Sequence, residues 1–205
     1  MTDSRKLTQR GRDRRHQLME YAARRFAEGG YHPTSVADIV DGLQVGKGVF
    51  YWYFSSKEEL LLEILRDGQL DLRRAQRDAI AGLDTPLARI EAGIRRSIEW
   101  LANNRQYVTL IQFAATEERF IPHLRRGSDV AVADLVKHVK DGIADGSLAD
   151  GDPVVISHAI LGVTNHLART FVLQGGEDAR TVADAAVDFC LGGLRGAPAA
   201  ASVTA

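Results

Sequence analysis

Thr34, Ser35, Lys47, Tyr51, Trp52 and Lys57 put hydroxyls, ammonium groups and amphipathic rings close together in the chain. Such groups suit a phosphate backbone. Hydroxyls and free N–H groups at a helix start donate to phosphate oxygens, and lysines neutralise their charge. Gly46 and Gly48 carry no side chain, so a helix bearing them can approach DNA closely. Val49 is short and apolar, suited to a thymine methyl. Each residue also has a plainer reading. Thr34 and Ser35 fit simple helix caps, Trp52 could equally pack on a neighbouring helix, and Lys57 alone would be a surface lysine. Phe50 and Phe54 read as core.

Catalysis finds no comparable grouping. The chain lacks a G-x-S-x-G elbow, a P-loop, a dinucleotide fingerprint and a zinc-hydrolase helix. His, Cys, Asp and Glu show no metal-ligand spacing, so neither an enzyme, a metal site nor a cofactor is expected. Charge is uneven. The net charge is −1, yet Arg5, Lys6, Arg10, Arg12, Arg14, Arg15, Arg24 and Arg25 face only Asp13 and Glu20 over the same stretch. A basic end on a near-neutral chain fits a polyanion partner.

The elements that must position these groups are helical. Leu18, Met19, Ala22, Ala23, Phe26 and Ala27 form one stripe of a helix expected over 12–28, stopped by Gly29-Gly30. Ser35-Val36-Ala37-Asp38 has the form of a capping box and starts a short second helix with Val36, Ile39, Val40 and Leu43 on its apolar face. A third helix is expected over 46–53. Ser56-Lys57-Glu58-Glu59 caps a long fourth helix reaching Ile80. Three short helices in so few residues bury little, and a helix-turn-helix gives that shape a purpose: the third helix enters the major groove.

The runs Phe26–Val40 (FAEGGYHPTSVADIV) and Val45–Leu60 (VGKGVFYWYFSSKEEL) resemble the N-terminal signature of the TetR family of bacterial regulators, in order and without a gap. The resemblance covers about a quarter of the chain. It implies a dimeric, ligand-responsive DNA-binding regulator, usually a repressor, with backbone contacts at Thr34, Lys47, Tyr51 and Lys57. Two departures stand out. The turn carries Leu43-Gln44 instead of a small pair, so Gln44 must take an unusual backbone conformation or shift the turn. Gly46 replaces the usual Ser or Thr cap of the third helix. The DNA contacts expected overall are Thr34, Ser35, Gly46, Lys47, Gly48, Val49, Tyr51, Trp52 and Lys57.

The expected fold is all-α, an N-terminal three-helix head joined to a C-terminal helical bundle for ligand binding and dimerisation. Its segments are a disordered tail at 1–11, the head at 12–57, the bundle at 58–195 and a low-complexity tail at 196–205. The bundle helices are expected over 86–103, 105–116, 122–144, 153–173 and 178–194. In the resembled family the middle helices enclose a small-molecule pocket. Here Trp100, Tyr107, Phe113, Phe120, His166 and Phe171 are the candidates, with His123, His138 and His158 adding polarity, for a largely apolar, drug-sized or acyl-type effector. Arg125-Arg126 could meet an anionic tail or stay solvated. Small residues on the last two helices predict a symmetric homodimer through Ala159, Gly162, His166, Ala186, Phe189 and Gly193.

The single cysteine, Cys190, reads as a small buried residue in a reducing compartment. No apolar run approaches the roughly 20 residues of a membrane span, and the N-terminus lacks a secretory pattern, so a cytoplasmic protein is expected. The partners are then an operator in double-stranded DNA and a small effector. The alternative is a helical protein-binding or architectural DNA-binding module.

Overall fold

The computed structural model describes residues 7–194. Among them every regular element is helical: α1 (Gln9–Gly29), α2 (Val36–Gly42), α3 (Lys47–Tyr53), α4 (Lys57–Ile80), α5 (Pro86–Asn103), α6 (Arg105–Ala114), α7 (Ile121–Ala144), α8 (Pro153–Leu167) and α9 (Ala179–Leu194). No described helix is long and apolar enough to cross a membrane. Of the two expected tails, 1–6 and 196–205 lie outside the described residues. Residues 9–11, expected in the first tail, are instead the opening turn of α1, because the Thr8 hydroxyl accepts from the Gly11 N–H and caps the helix.

The helices gather into two compact units. The first comprises residues up to 69 together with 106–124. Its core joins Leu18, Ala22 and Phe26 of α1 to Ile39 and Val40 of α2 and Phe50 of α3. Leu60, Leu61 and Leu65 of α4, with Leu110, Ala114 and Phe120 from α6 and the corner after it, close the core. The expected 12–57 head lies inside this larger unit. α2 and α3, at seven residues each, need the extra apolar surface, since each fully buried large side chain contributes only about 1.5–3 kcal/mol.

The second unit comprises 70–105 and residues from 125 on. Ile90, Ile94, Ile98 and Leu101 form the buried stripe of α5, which packs on α9 through Val182, Ala183, Ala186 and Val187. Thr85 caps α5 and Pro86 occupies its first turn, where the missing N–H costs nothing. Asp152 and Pro153 repeat that device for α8. Arg95 pairs with Asp184 across α5 and α9, and Arg73 with Asp134 across α4 and α7 at 2.7 Å. Cys190 is buried in this core, which raises its thiol pKa. The α-helix expected to run on to Leu173 ends at Leu167. Ala168–Gln174 continues it as a wider π-helical stretch, closed by the Gly175 N–H donating to the Thr170 carbonyl at 3.0 Å. Gly175 allows this, because a Cβ there would lie 2.7 Å from the Phe171 carbonyl oxygen.

Candidate nucleic-acid interface

The turn between α2 and α3 sets the geometry. Ser35 caps α2 through a full capping box: its hydroxyl accepts from the Asp38 N–H at 3.1 Å, and its own N–H donates to the Asp38 carboxylate at 2.7 Å. The Ser35 hydroxyl also donates to the Asp38 carboxylate at 2.7 Å, and this bond, followed by the one from the Ser35 N–H, holds the carboxyl below its ordinary pKa. The chain then reverses through Gln44, whose φ of 53° is left-handed: of the two outcomes expected there, an unusual backbone or a shifted turn, the residue takes the first. Its N–H donates to Asp41 and the next N–H, of Val45, to Val40. The other departure also holds, since Gly46 caps α3 with no side-chain hydrogen bond. Gly42 matters for packing, because a Cβ on it would fall 1.8 Å from the Tyr21 hydroxyl oxygen.

One face of α3 is sealed and the other is open. Phe50 and Phe54 are buried, as their reading as core predicts. Gly46, Lys47, Gly48, Tyr51 and Trp52 are exposed, and Val49 is half-buried between the faces. Tyr51 is 57% exposed and Trp52 55%, unusual for large rings beside a well-filled core. Nothing lies within 4 Å of a Cβ built on Gly46 or Gly48, so the surface there is flat and free. The structure therefore brings these six residues to one side. Trp52 meets the edge of Tyr53 at 4.6 Å between centroids.

Three expected contacts are placed differently. Thr34 is only 4% exposed, and its hydroxyl donates inward to the Gly30 carbonyl at 2.8 Å. Ser35 is exposed, but its hydroxyl and N–H are both engaged by Asp38. Lys57 points into the α1–α2 connection: its ammonium donates to the carbonyls of Tyr31 and Thr34 at 2.7 Å each and of His32 at 3.3 Å. It also lies 4.3 Å from the centre of the Tyr31 ring. Burial lowers its pKa. Thr34 and Lys57 hold the loop that sets α2, and an ammonium with three carbonyls has no donor left for phosphate. The same loop is held from α6 and beyond. His32 hydrogen-bonds Glu117 at 2.8 Å, and Tyr31 packs at a tilt on Phe113 and edge-on against Phe120.

The six candidate effector residues scatter. Phe113 and Phe120 pack into the first unit's core with Tyr31. Tyr107 belongs to the same unit, donates to the Leu65 carbonyl at 3.3 Å, and has its pKa raised by burial. Trp100 is buried in the second unit with Nε1 donating to Asp71 at 2.8 Å. His166 and Phe171 are exposed. None of the six lines the cavity of about 280 Å³ in the second unit. That cavity lies among α4, α5, α7 and α8. Ile80, Ile90, Ile94, Leu135 and Ile160 supply its apolar wall, and Arg73, Arg77, Arg89, Lys137, Asp134 and His138 its charged and titratable rim. Aromatic count pointed away from it. The usable signal was polar residues at helical spacing on two helices, Arg73, Gln76 and Arg77 on α4 and Arg89 and Ser97 on α5, beside the apolar Ile80, Ile90 and Ile94.

Of the expected dimer residues, Ala186 is fully buried within the chain, because α9 turns that face to α5. Ala159, Gly162, His166, Phe189 and Gly193 are all exposed, Phe189 at 70%. A Cβ added at Gly162, Gly192 or Gly193 would meet nothing within 4 Å.

Comparison with known proteins gives a consistent result. Residues 18–64 match the family model "Bacterial regulatory proteins, tetR family", and residues 83–194 match "Tetracyclin repressor-like, C-terminal domain". The transcriptional repressor KstR2 of Rhodococcus jostii is 31% identical over 88% of this chain and 91% of that protein. KstR2 of Mycobacterium tuberculosis is 39% identical over 100 residues, 48% of this chain, so the match spans about half the length of that curated relative. The solved structure of the M. tuberculosis ketosteroid transcriptional regulator KstR2 superposes with a TM-score of 0.70 at 28% identity, covering 90% of this chain and 96% of that one.

Proposed function

The chain belongs to the TetR family of bacterial regulatory proteins, and on that premise we propose that it is a homodimeric transcriptional repressor released from its operator by a small-molecule effector. The observation that carries the DNA reading is the two-sided α3: Phe50 and Phe54 sealed beneath, with Lys47, Gly48, Tyr51 and Trp52 open above. Lys47 supplies the charge. Tyr51 and Trp52 bring polar tips to the backbone, and Val49 at the margin offers a methyl contact. With two glycines and few polar side chains on that face, recognition leans on backbone fit and operator spacing as much as on hydrogen bonds to bases.

One head reads a half-site, so two are needed about one helical turn apart. The exposed small-residue face of α8 and α9, with Phe189 standing out of it, supports a symmetric interface between two copies. Release follows from linkage. An effector that prefers the population unable to hold DNA lowers operator affinity by the factor of that preference, tenfold for each 1.4 kcal/mol or so. The name repressor comes from the R. jostii and M. tuberculosis relatives.

The test is footprinting of the purified protein on DNA upstream of its own gene, with a salt titration. A protected palindromic site and a steep inverse salt dependence support the reading. No protected site, or a flat salt response, refutes it.

A further inference from the structure

The cavity of the second unit has a chemistry that its apolar wall alone does not explain. Four cationic side chains, Arg73, Arg77, Arg89 and Lys137, line it against one carboxylate, Asp134. Asp134 is already taken by Arg73 at 2.7 Å, with Lys137 at 3.9 Å. Gln76 donates to Ser97 at 2.8 Å, Ser97 to the Gly93 carbonyl at 2.6 Å, and Thr164 to the Ile160 carbonyl at 2.7 Å. These polar groups are satisfied within the fold. His138 is not: its Nδ1 is enclosed and has no hydrogen-bond partner. A buried lone pair is left unpaired more readily than a buried N–H. The neutral ring therefore carries its proton on Nε2, which leaves that N–H as the ring's donor. Burial and the nearby charge of Arg89 lower the pKa of His138, which keeps the ring neutral at pH 7.

We propose that this cavity binds a compact anionic amphiphile, an aliphatic body bearing one carboxylate, with Arg77 and Arg89 supplying the counter-charge and the His138 Nε2–H a hydrogen bond to the carboxylate. Ile80, Ile90, Ile94, Leu135 and Ile160 take the body. The volume limits it. About 280 Å³ is just under the range of roughly 300–1,000 Å³ for small-molecule sites. That size suits a short aliphatic chain better than a bulky ring system. The proposal rests on the effector reading only for its regulatory consequence, since binding is measured without DNA.

The experiment is isothermal titration of the full chain with sodium octanoate, octan-1-ol and octylammonium chloride, three probes with one body and different heads. The expected result is one octanoate per chain, at least tenfold tighter than either other probe. Arg77→Gln and His138→Leu should each weaken octanoate at least fivefold and leave octanol unchanged. His138→Gln, which keeps an N–H donor, should recover part of the loss. Arg77 is exposed, so its variant keeps the test valid even if His138→Leu fails to fold. Equal binding of all three probes, preference for octylammonium, or no octanoate binding overturns the proposal. A second titration adds octanoate to the protein–operator complex. Binding without release of DNA removes the effector reading and leaves the site standing.

Discussion

Lys47 and Lys57 flank α3 and serve different ends. Lys47 is exposed on the open side of α3, whereas Lys57 spends its three donors on the carbonyls of Tyr31, His32 and Thr34. Lys47→Ala should make log K against log salt shallower by about 1.8 per dimer, one phosphate contact per chain. Lys57→Met should leave the charge-dependent slope nearly unchanged and lower unfolding free energy by about 1.5–3 kcal/mol, the range for hydrogen bonds to a charged group. Urea titration and gel-shift titrations at graded salt separate the two. The carboxylate caps make a second residue-scale prediction. Asp38 and Glu59 both have lowered pKa values, first through hydrogen bonds from the Ser35 and Ser55 side chains and then from their backbone N–H groups. Their stabilisation is complete above the unfolded carboxyl pKa of about 4 and is lost as pH falls through the lower folded values. Urea midpoints followed from about pH 5 downward should fall less steeply in Asp38→Asn and Glu59→Gln than in the parent.

At the scale of elements, the departures read in the sequence were the informative ones. Gln44 stood out because a non-glycine there had to take an unusual backbone conformation or shift the turn, and it takes the first, with φ of 53°. The α3 cap was legible from Gly46, and adding a hydroxyl there meets no obstacle. Gly46→Ser should therefore raise stability by a few tenths of a kcal/mol, the usual margin of serine over glycine at a cap, seen as a small rise in urea midpoint. Gly42→Ala should do the reverse. Its Cβ would collide with the Tyr21 hydroxyl, and overpacking of that kind costs about 1–3 kcal/mol. That collision depends on the packing of α2 on α1, which one residue's type does not announce. The roles of Thr34 and Lys57 were hidden for the same reason. Both types suit phosphate, and only the path of the α1–α2 connection turns them inward. The cavity was illegible through aromatics, because Phe113, Phe120 and Tyr107 were needed by the first unit's core.

At the scale of the whole molecule, the helical class, the helix-turn-helix and the family were readable from periodicity and from one well-spaced signature. The make-up of the two units was not, because it depends on which distant helix fills which core. If α8 and α9 form the proposed dimer interface, Phe189→Glu should shift the protein toward monomer in sedimentation velocity at micromolar concentration, since a charge placed within an apolar interface is left unpaired. An unchanged dimer would move the interface elsewhere. The first unit also draws Leu110, Ala114 and Phe120 from far along the chain. That borrowing bears on how the protein is made. The DNA-binding head is translated before the second unit, yet its core stays unfinished until the residues around 120 have left the ribosome. At about 5–20 residues per second, the wait after residue 69 is on the order of three to ten seconds. Through that interval Tyr31, just past the end of α1, is left without Phe113 and Phe120, and a nascent-chain chaperone has its opening there.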